Sequence, residues 1–141
     1  MKIKSLKLAI KQKKFKMDAL GAQITALLHE IDEKEQLLQA NKDKREKIAH
    51  SNVTRVFDIE NALLVLEELK RKDDTILQEI EALEEKIVNL RKELAQLLGE
   101  KQALEKLISK INNENASQQT AQENELANEN FLRKNTPHII S

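Results

Sequence analysis

The chain has 141 residues, of which 34% are charged and 2% aromatic, with two glycines, one proline and no cysteine, tryptophan or tyrosine. Its 24 basic and 24 acidic side chains cancel, so the chain as a whole has no electrostatic reason to hold nucleic acid or an acidic surface. So few turn formers and so little aromatic area argue against a compact globule, and the missing thiol argues against disulfide, thiolate or zinc–thiolate chemistry; a charged, Leu- and Ala-bearing chain of this kind suits long helices in a coiled coil.

The first predicted element announces itself by period. Ile3, Ile10, Met17, Ile24, Ile31 and Leu38 recur at seven-residue intervals, and Leu6, Leu20, Leu27 and Ile48 lie on a second series offset by three, with Lys13, Lys34 and Asn41 in its other places. These are the a and d positions of a seam that an underwound helix presents to a partner. Arg45, at the next a position, marks the seam weakening, so the helix is expected over about 3–48. Seven lysines fall within the first sixteen residues, and no acid appears before Asp18. Cations there oppose the helix macrodipole, so the helix gains nothing from them. The plain reading is a solvated basic face. As a binding surface it lacks the aromatic interleaving of a nucleic-acid site and suits an acidic protein surface, with Lys11, Lys13, Lys14 and Lys16 as candidate contacts.

A turn is expected over about 49–53, because Ser51, Asn52 and Thr54 are residues that cap helix N-termini. The second helix is then expected over about 54–111. Its a positions are Ile59, Leu66, Asp73, Ile80, Ile87, Leu94, Lys101 and Ile108, and its d positions are Ala62, Leu69, Ile76, Leu83, Leu90, Leu97, Leu104 and Ile111. Gly21 and Gly99 sit off both seams. A short connection makes antiparallel neighbours, in which facing residue numbers share a constant total. A total of 100 sets Ile24 against Ile76 and Ile31 against Leu69, and a slip of one heptad gives 107. Either leaves too little first helix to cover Leu104, Ile108 and Ile111, a stripe widened by Leu107, so these four are candidate docking residues.

Residues 112–130 are dominated by Asn, Gln and Glu, a composition that cannot bury enough apolar surface to order itself. Phe131 to Lys134 form a short terminal patch, and Pro137 ends any helix. The expected fold is therefore all-α: residues 1–111 as an antiparallel two-helix coiled-coil hairpin with the longer second helix, and residues 112–141 as a polar tail, either a frayed helical extension or disordered. A parallel homodimer of long helices ranks second, since it has no use for a capped break near residue 50. The longest uninterrupted apolar run, Ala62 to Leu66, is far short of a membrane span. Lys4, Lys7 and Lys11 interrupt any leader-like apolar region, so a cytoplasmic protein is expected.

Catalytic chemistry is not expected. His29 and Glu33 are four apart and share a helix face, which is half a metal site at best; at f and c positions they read as a solvated pair. His50 falls in the turn and His138 in the tail, and no Gly-rich phosphate loop or Gly-x-Ser-x-Gly elbow occurs. No catalytic, cofactor-binding or metal-ligating residue is assigned.

The stretch Leu6-Lys7-Leu8-Ala9-Ile10-Lys11-Gln12-Lys13-Lys14-Phe15-Lys16-Met17-Asp18, with its leucines, basics, aromatic and closing Asp, resembles the opening pattern of the FliJ family of flagellar export proteins and of its YscO-like counterparts in type III secretion. Phe57 sits just after the turn, where that family often carries an aromatic. Arg91-Lys92-Glu93-Leu94 through Lys101, Glu105 and Lys106 resembles the later second helix, and Glu125 to Lys134 resembles the acidic-then-Arg ending. The resemblance implies a cytoplasmic, stalk-like accessory of the export apparatus, a monomer without cofactor. Its implied partners are the hexameric export ATPase, the export gate protein FlhA and export chaperones, with the membrane reached only through the gate. The basic termini would enter the ATPase ring, and Val53, Val56 and Phe57 would face the gate. Two other classes compete: a hairpin chaperone similar to tubulin-binding cofactor A or a prefoldin subunit, and a dimerising structural scaffold.

Overall fold

The computed structural model describes residues 2–51 and 54–135, with side chains described as far as Leu132. Among these residues there are two helices and no strand: α1, Lys2–Ala49, and α2, Val56–Asn135. The expectations placed on Asn52, Val53, Pro137 and His138, and on the side chains of Arg133 and Lys134, lie outside the described residues. Neither helix contains a proline, and both are rich in Leu, Lys, Glu, Ala and Gln, whose side chains lose little freedom in a helix.

The helix ends correct two expectations. Ser51 does not cap α2; it closes α1, its Oγ donating to the Ile48 carbonyl at 2.7 Å and its N–H to the same oxygen at 3.3 Å. This satisfies a carbonyl that the last turn would leave bare, and Lys47 in that turn suits the negative end of the dipole. At the other end, the Ile59 N–H donates to the Arg55 carbonyl at 3.0 Å, so α2 begins at Val56 rather than 54, with Asp58 in its first turn. Second, α2 passes the boundary expected at 111 and continues to Asn135. No glycine or proline interrupts residues 112–135, and Gln119 Nε2 supports the run by donating to Glu123 Oε1 at 3.4 Å, four residues on.

The chain divides into two compact units, Phe15–Leu97 and Met1–Lys14 with Leu98–Ser141. In the first, Ile24, Ile31, Ile80, Leu83 and Ile87 form a buried cluster, with Leu27, Leu38, Ile76, Leu90 and Leu94 packed on it. All ten are a or d positions of the two seams. The cluster is interrupted by one buried polar group: Asn41 Nδ2 donates to Asp73 Oδ1 at 2.9 Å, and Arg45 Nη1 stands 2.9 Å from Asp73 Oδ2. Beside it, Lys34 Nζ donates to Glu79 Oε2 at 2.6 Å.

These contacts correct the register. Asn41 with Asp73 totals 114 and Lys34 with Glu79 totals 113, neither 100 nor 107. The physical reason lies in the polar seam positions. Apolar a and d residues fit almost equally well after any seven-residue slip, whereas at 100 Asp73 would face Leu27 and Asn41 would face Ile59, and at 107 Asp73 would meet Lys34 but Asn41 would face Leu66. A buried carboxylate without a partner is the costliest outcome available to this seam, and at 114 it has two.

In the second unit, Ile3, Leu6, Ile10 and Lys13 of α1 and Lys101, Leu104, Ile108 and Ile111 of α2 are half-buried. Lys13 Nζ lies 2.7 Å from Glu100 Oε2. Lys2, Ser5, Leu6, Leu107 and Ile111 line one groove, so the start of α1 reaches the stripe that the 100 and 107 registers would have left bare. From Asn112 to Leu132 every residue of α2 is exposed. No helix among the described residues is long and apolar enough to cross a membrane.

Candidate interaction surfaces

Each surface is what the seams leave facing outward. On α1, Lys4, Lys7, Lys11 and Lys14 are spaced three, four and three apart and are all exposed, which sets four ammonium groups along one helix face. Lys13 does not join them. Its stem is half-buried at a d position and its ammonium is held by Glu100, a long side chain covering apolar surface while its charge reaches the rim. Lys16, in the other unit, is exposed. Lys34 repeats the Lys13 arrangement: its side chain is 22% exposed, and its pKa is raised above the ordinary lysine value, first by the hydrogen bond to Glu79, against an opposing effect of burial, with the charges of Glu79, Glu30 and Glu33 adding to the rise.

The first turns of α2 carry a cluster of exposed apolar side chains in the Phe15–Leu97 unit. Val56 and Phe57 are both 71% exposed, and Leu63 and Leu64, seven residues on, are 56% and 63% exposed. A seven-residue step returns each to the same column, so the four form two apolar columns about 100° apart around the helix. Glu60 and Glu67 fall between those columns, and no base occurs between Arg55 and Lys70. Of the expected turn-side contacts, Val56 and Phe57 lie here, and Val53 is outside the described residues. Leu63 and Leu64 were not anticipated. The signal was present, since they belong to the longest apolar run yet occupy e and f positions, where a seam needs no apolar residue. Phe15 is a third unanticipated group, 77% exposed at an f position of α1.

Among the expected docking stripe, Leu104, Ile108 and Ile111 are half-buried and Leu107 is 43% exposed. His29 Nε2 and Glu33 Oε1 are 3.1 Å apart, with both side chains well exposed. These arrangements offer a cationic helix face and an apolar, acid-flanked helix face, both suited to another macromolecule's surface. Comparison of the chain with protein-family profiles, curated proteins and solved structures finds no match.

Proposed function

We propose that the chain is an antiparallel two-helix coiled-coil hairpin serving as a cytoplasmic accessory of the flagellar or type III protein export apparatus. It binds the export ATPase as a stalk-like coiled coil and couples it to the export gate protein and to export chaperones. Three features support the hairpin. Burial follows a and d positions in both helices. In the Phe15–Leu97 unit the Lys34–Glu79 and Asn41–Asp73 contacts run in opposite chain directions. In the other unit the Lys13–Glu100 contact and the groove joining Leu6 to Leu107 and Ile111 do the same.

The observation that carries the coupling role is the presence of two chemically different outward faces, the lysine face of α1 and the Val56–Phe57–Leu63–Leu64 face of α2. A protein that links two partners needs two such surfaces, and the stretch Leu6 to Asp18 and the aromatic Phe57, which lie on them, are among the features that resemble export stalk proteins. The test is a purified mixture with the cognate export ATPase. Binding and stimulated hydrolysis are expected; neither occurring would overturn the proposal. The hairpin-chaperone reading draws on the same exposed Leu, Val and Phe side chains, and suppression of client aggregation without ATPase binding would favour it instead.

A further inference from the structure

Residues 112–132 form a stretch of helix with every residue exposed. Such a helix, rich in Asn and Gln, is marginal in water, because in proteins most helical stability comes from a packed face. The first helix of the same copy does not supply one. It begins at Lys2, which shares a groove with Ile111, so α1 starts where the exposed stretch starts.

One face of this stretch carries Glu114, Gln118, Gln122, Glu125 and Glu129, spaced four, four, three and four apart. No basic residue occurs between Lys110 and Arg133. The same unit holds the opposite surface, the exposed Lys4, Lys7, Lys11 and Lys14, with no acid before Asp18. The acidic stripe is long enough to cover the basic one: ten residues separate Lys4 from Lys14 and fifteen separate Glu114 from Glu129, about 15 and 22 Å along a helix. They also match in what each lacks. The first turn of α1 contains no acid, so its positive helix end and its lysines are uncompensated, while the acidic stripe has no cation of its own.

We infer that two copies of this chain pair through these stripes, the Glu114–Glu129 face of one copy lying along the Lys4–Lys14 face of the other. Each copy carries both halves, so the contact is made twice and closes as a two-fold pair. This departs from the single-copy expectation and does not rest on the export reading, because it concerns the chain with no partner present.

The test is the mass of the purified full chain by light scattering. At low salt the expected mass is twice the 16.2 kDa of one chain, falling to one chain's mass near 0.5 M salt, roughly, as the exposed charges are screened. E114K/E125K/E129K and K4E/K7E/K11E/K14E each give the single-chain mass at low salt, with helix content unchanged by circular dichroism. Mixing the two variants one to one restores the doubled mass, since one now carries two basic stripes and the other two acidic ones. The milder E114Q/E125Q/E129Q also loses pairing, which covers the case in which a charge reversal unfolds the helix. A single-chain mass for the native protein at every salt concentration overturns the proposal. So does a doubled mass that persists in the glutamine variant, which would place the pairing on another surface, such as the exposed leucines of α2.

Discussion

Asp73 is 6% exposed, and its two carboxylate oxygens are divided between Asn41 and Arg45. Asp73→Leu removes the acceptor of a buried amide and the partner of a guanidinium, and should cost about 1–3 kcal/mol in urea unfolding. Replacing both buried polar groups, Asn41→Leu with Asp73→Leu, should recover most of that loss, because a packed apolar pair avoids desolvation altogether. A double variant as unstable as the single one would mean the network contributes stability rather than alignment. The two glycines act through the backbone alone. A Cβ added at Gly21 or Gly99 meets nothing within 4 Å, so Gly21→Ala and Gly99→Ala should each stabilise by about 0.5–1 kcal/mol through helix propensity and a less flexible unfolded chain. Lys34 supplies a pH signature. Folding raises its pKa, so the stabilisation is complete below the ordinary lysine value and fades as pH climbs through the raised one. The Tm difference between the native chain and Lys34→Met should be flat up to about pH 10 and shrink above it; a difference that instead grows there would contradict the assignment to the Glu79 contact.

At the scale of the helices, the alignment of α1 with α2 in the Phe15–Leu97 unit can be read chemically, since the chain has no cysteine of its own. Ile31→Cys with Leu83→Cys, which total 114, should oxidise to an intrachain disulfide. Ile31→Cys with Ile76→Cys (107) or with Leu69→Cys (100) should not, because one heptad displaces the sulfurs by about 10 Å, beyond disulfide reach. These three pairs also separate what the sequence discloses from what it withholds. Every a and d position from Ile3 to Ile48 and from Ala62 to Ile111 is buried or half-buried, because a seven-residue apolar period leaves a helix only one face to hide. Ile59 departs from this at 42% exposed, near the start of α2, where the seam has barely begun. The alignment was not legible from apolar residues, since a heptad slip preserves their pattern; it was legible in Asn41 and Asp73, because at 107 Asp73 would meet Lys34 but Asn41 would face Leu66, whereas at 114 both buried polar groups are paired. The continuation of α2 past Ile111 was left open by the sequence for a different reason: composition argues against burial, while helix persistence depends on the absence of breakers as well. Of the outward surfaces, the lysine face could be seen directly in the run of residues, whereas Leu63 and Leu64 were hidden within an apolar run until the seam assigned them to its outer side.

For the chain as a whole, a net charge of zero conceals strong segregation: seven lysines and no acid in residues 1–16, and four glutamates with no base in residues 111–132. Partner binding through the first of these should be electrostatic and salt-sensitive, and binding through the apolar start of α2 should not. The two faces can therefore be lost independently if they serve two partners. Lys11→Glu with Lys14→Glu should weaken binding to the export ATPase about five- to tenfold at low salt, the scale expected when two exposed ion pairs of 0.2–1 kcal/mol each are removed and become repulsive. The loss should narrow as salt rises. Phe57→Ala with Leu64→Ala should leave that affinity within about twofold and reduce recovery of the gate protein, with little dependence on salt, because what it removes is apolar contact area. Pull-downs that score both partners for both variants at two salt concentrations distinguish the cases. If each variant loses both partners to the same degree, the two faces act as one surface and the coupling role fails, since a coupler must hold one partner while the other is released.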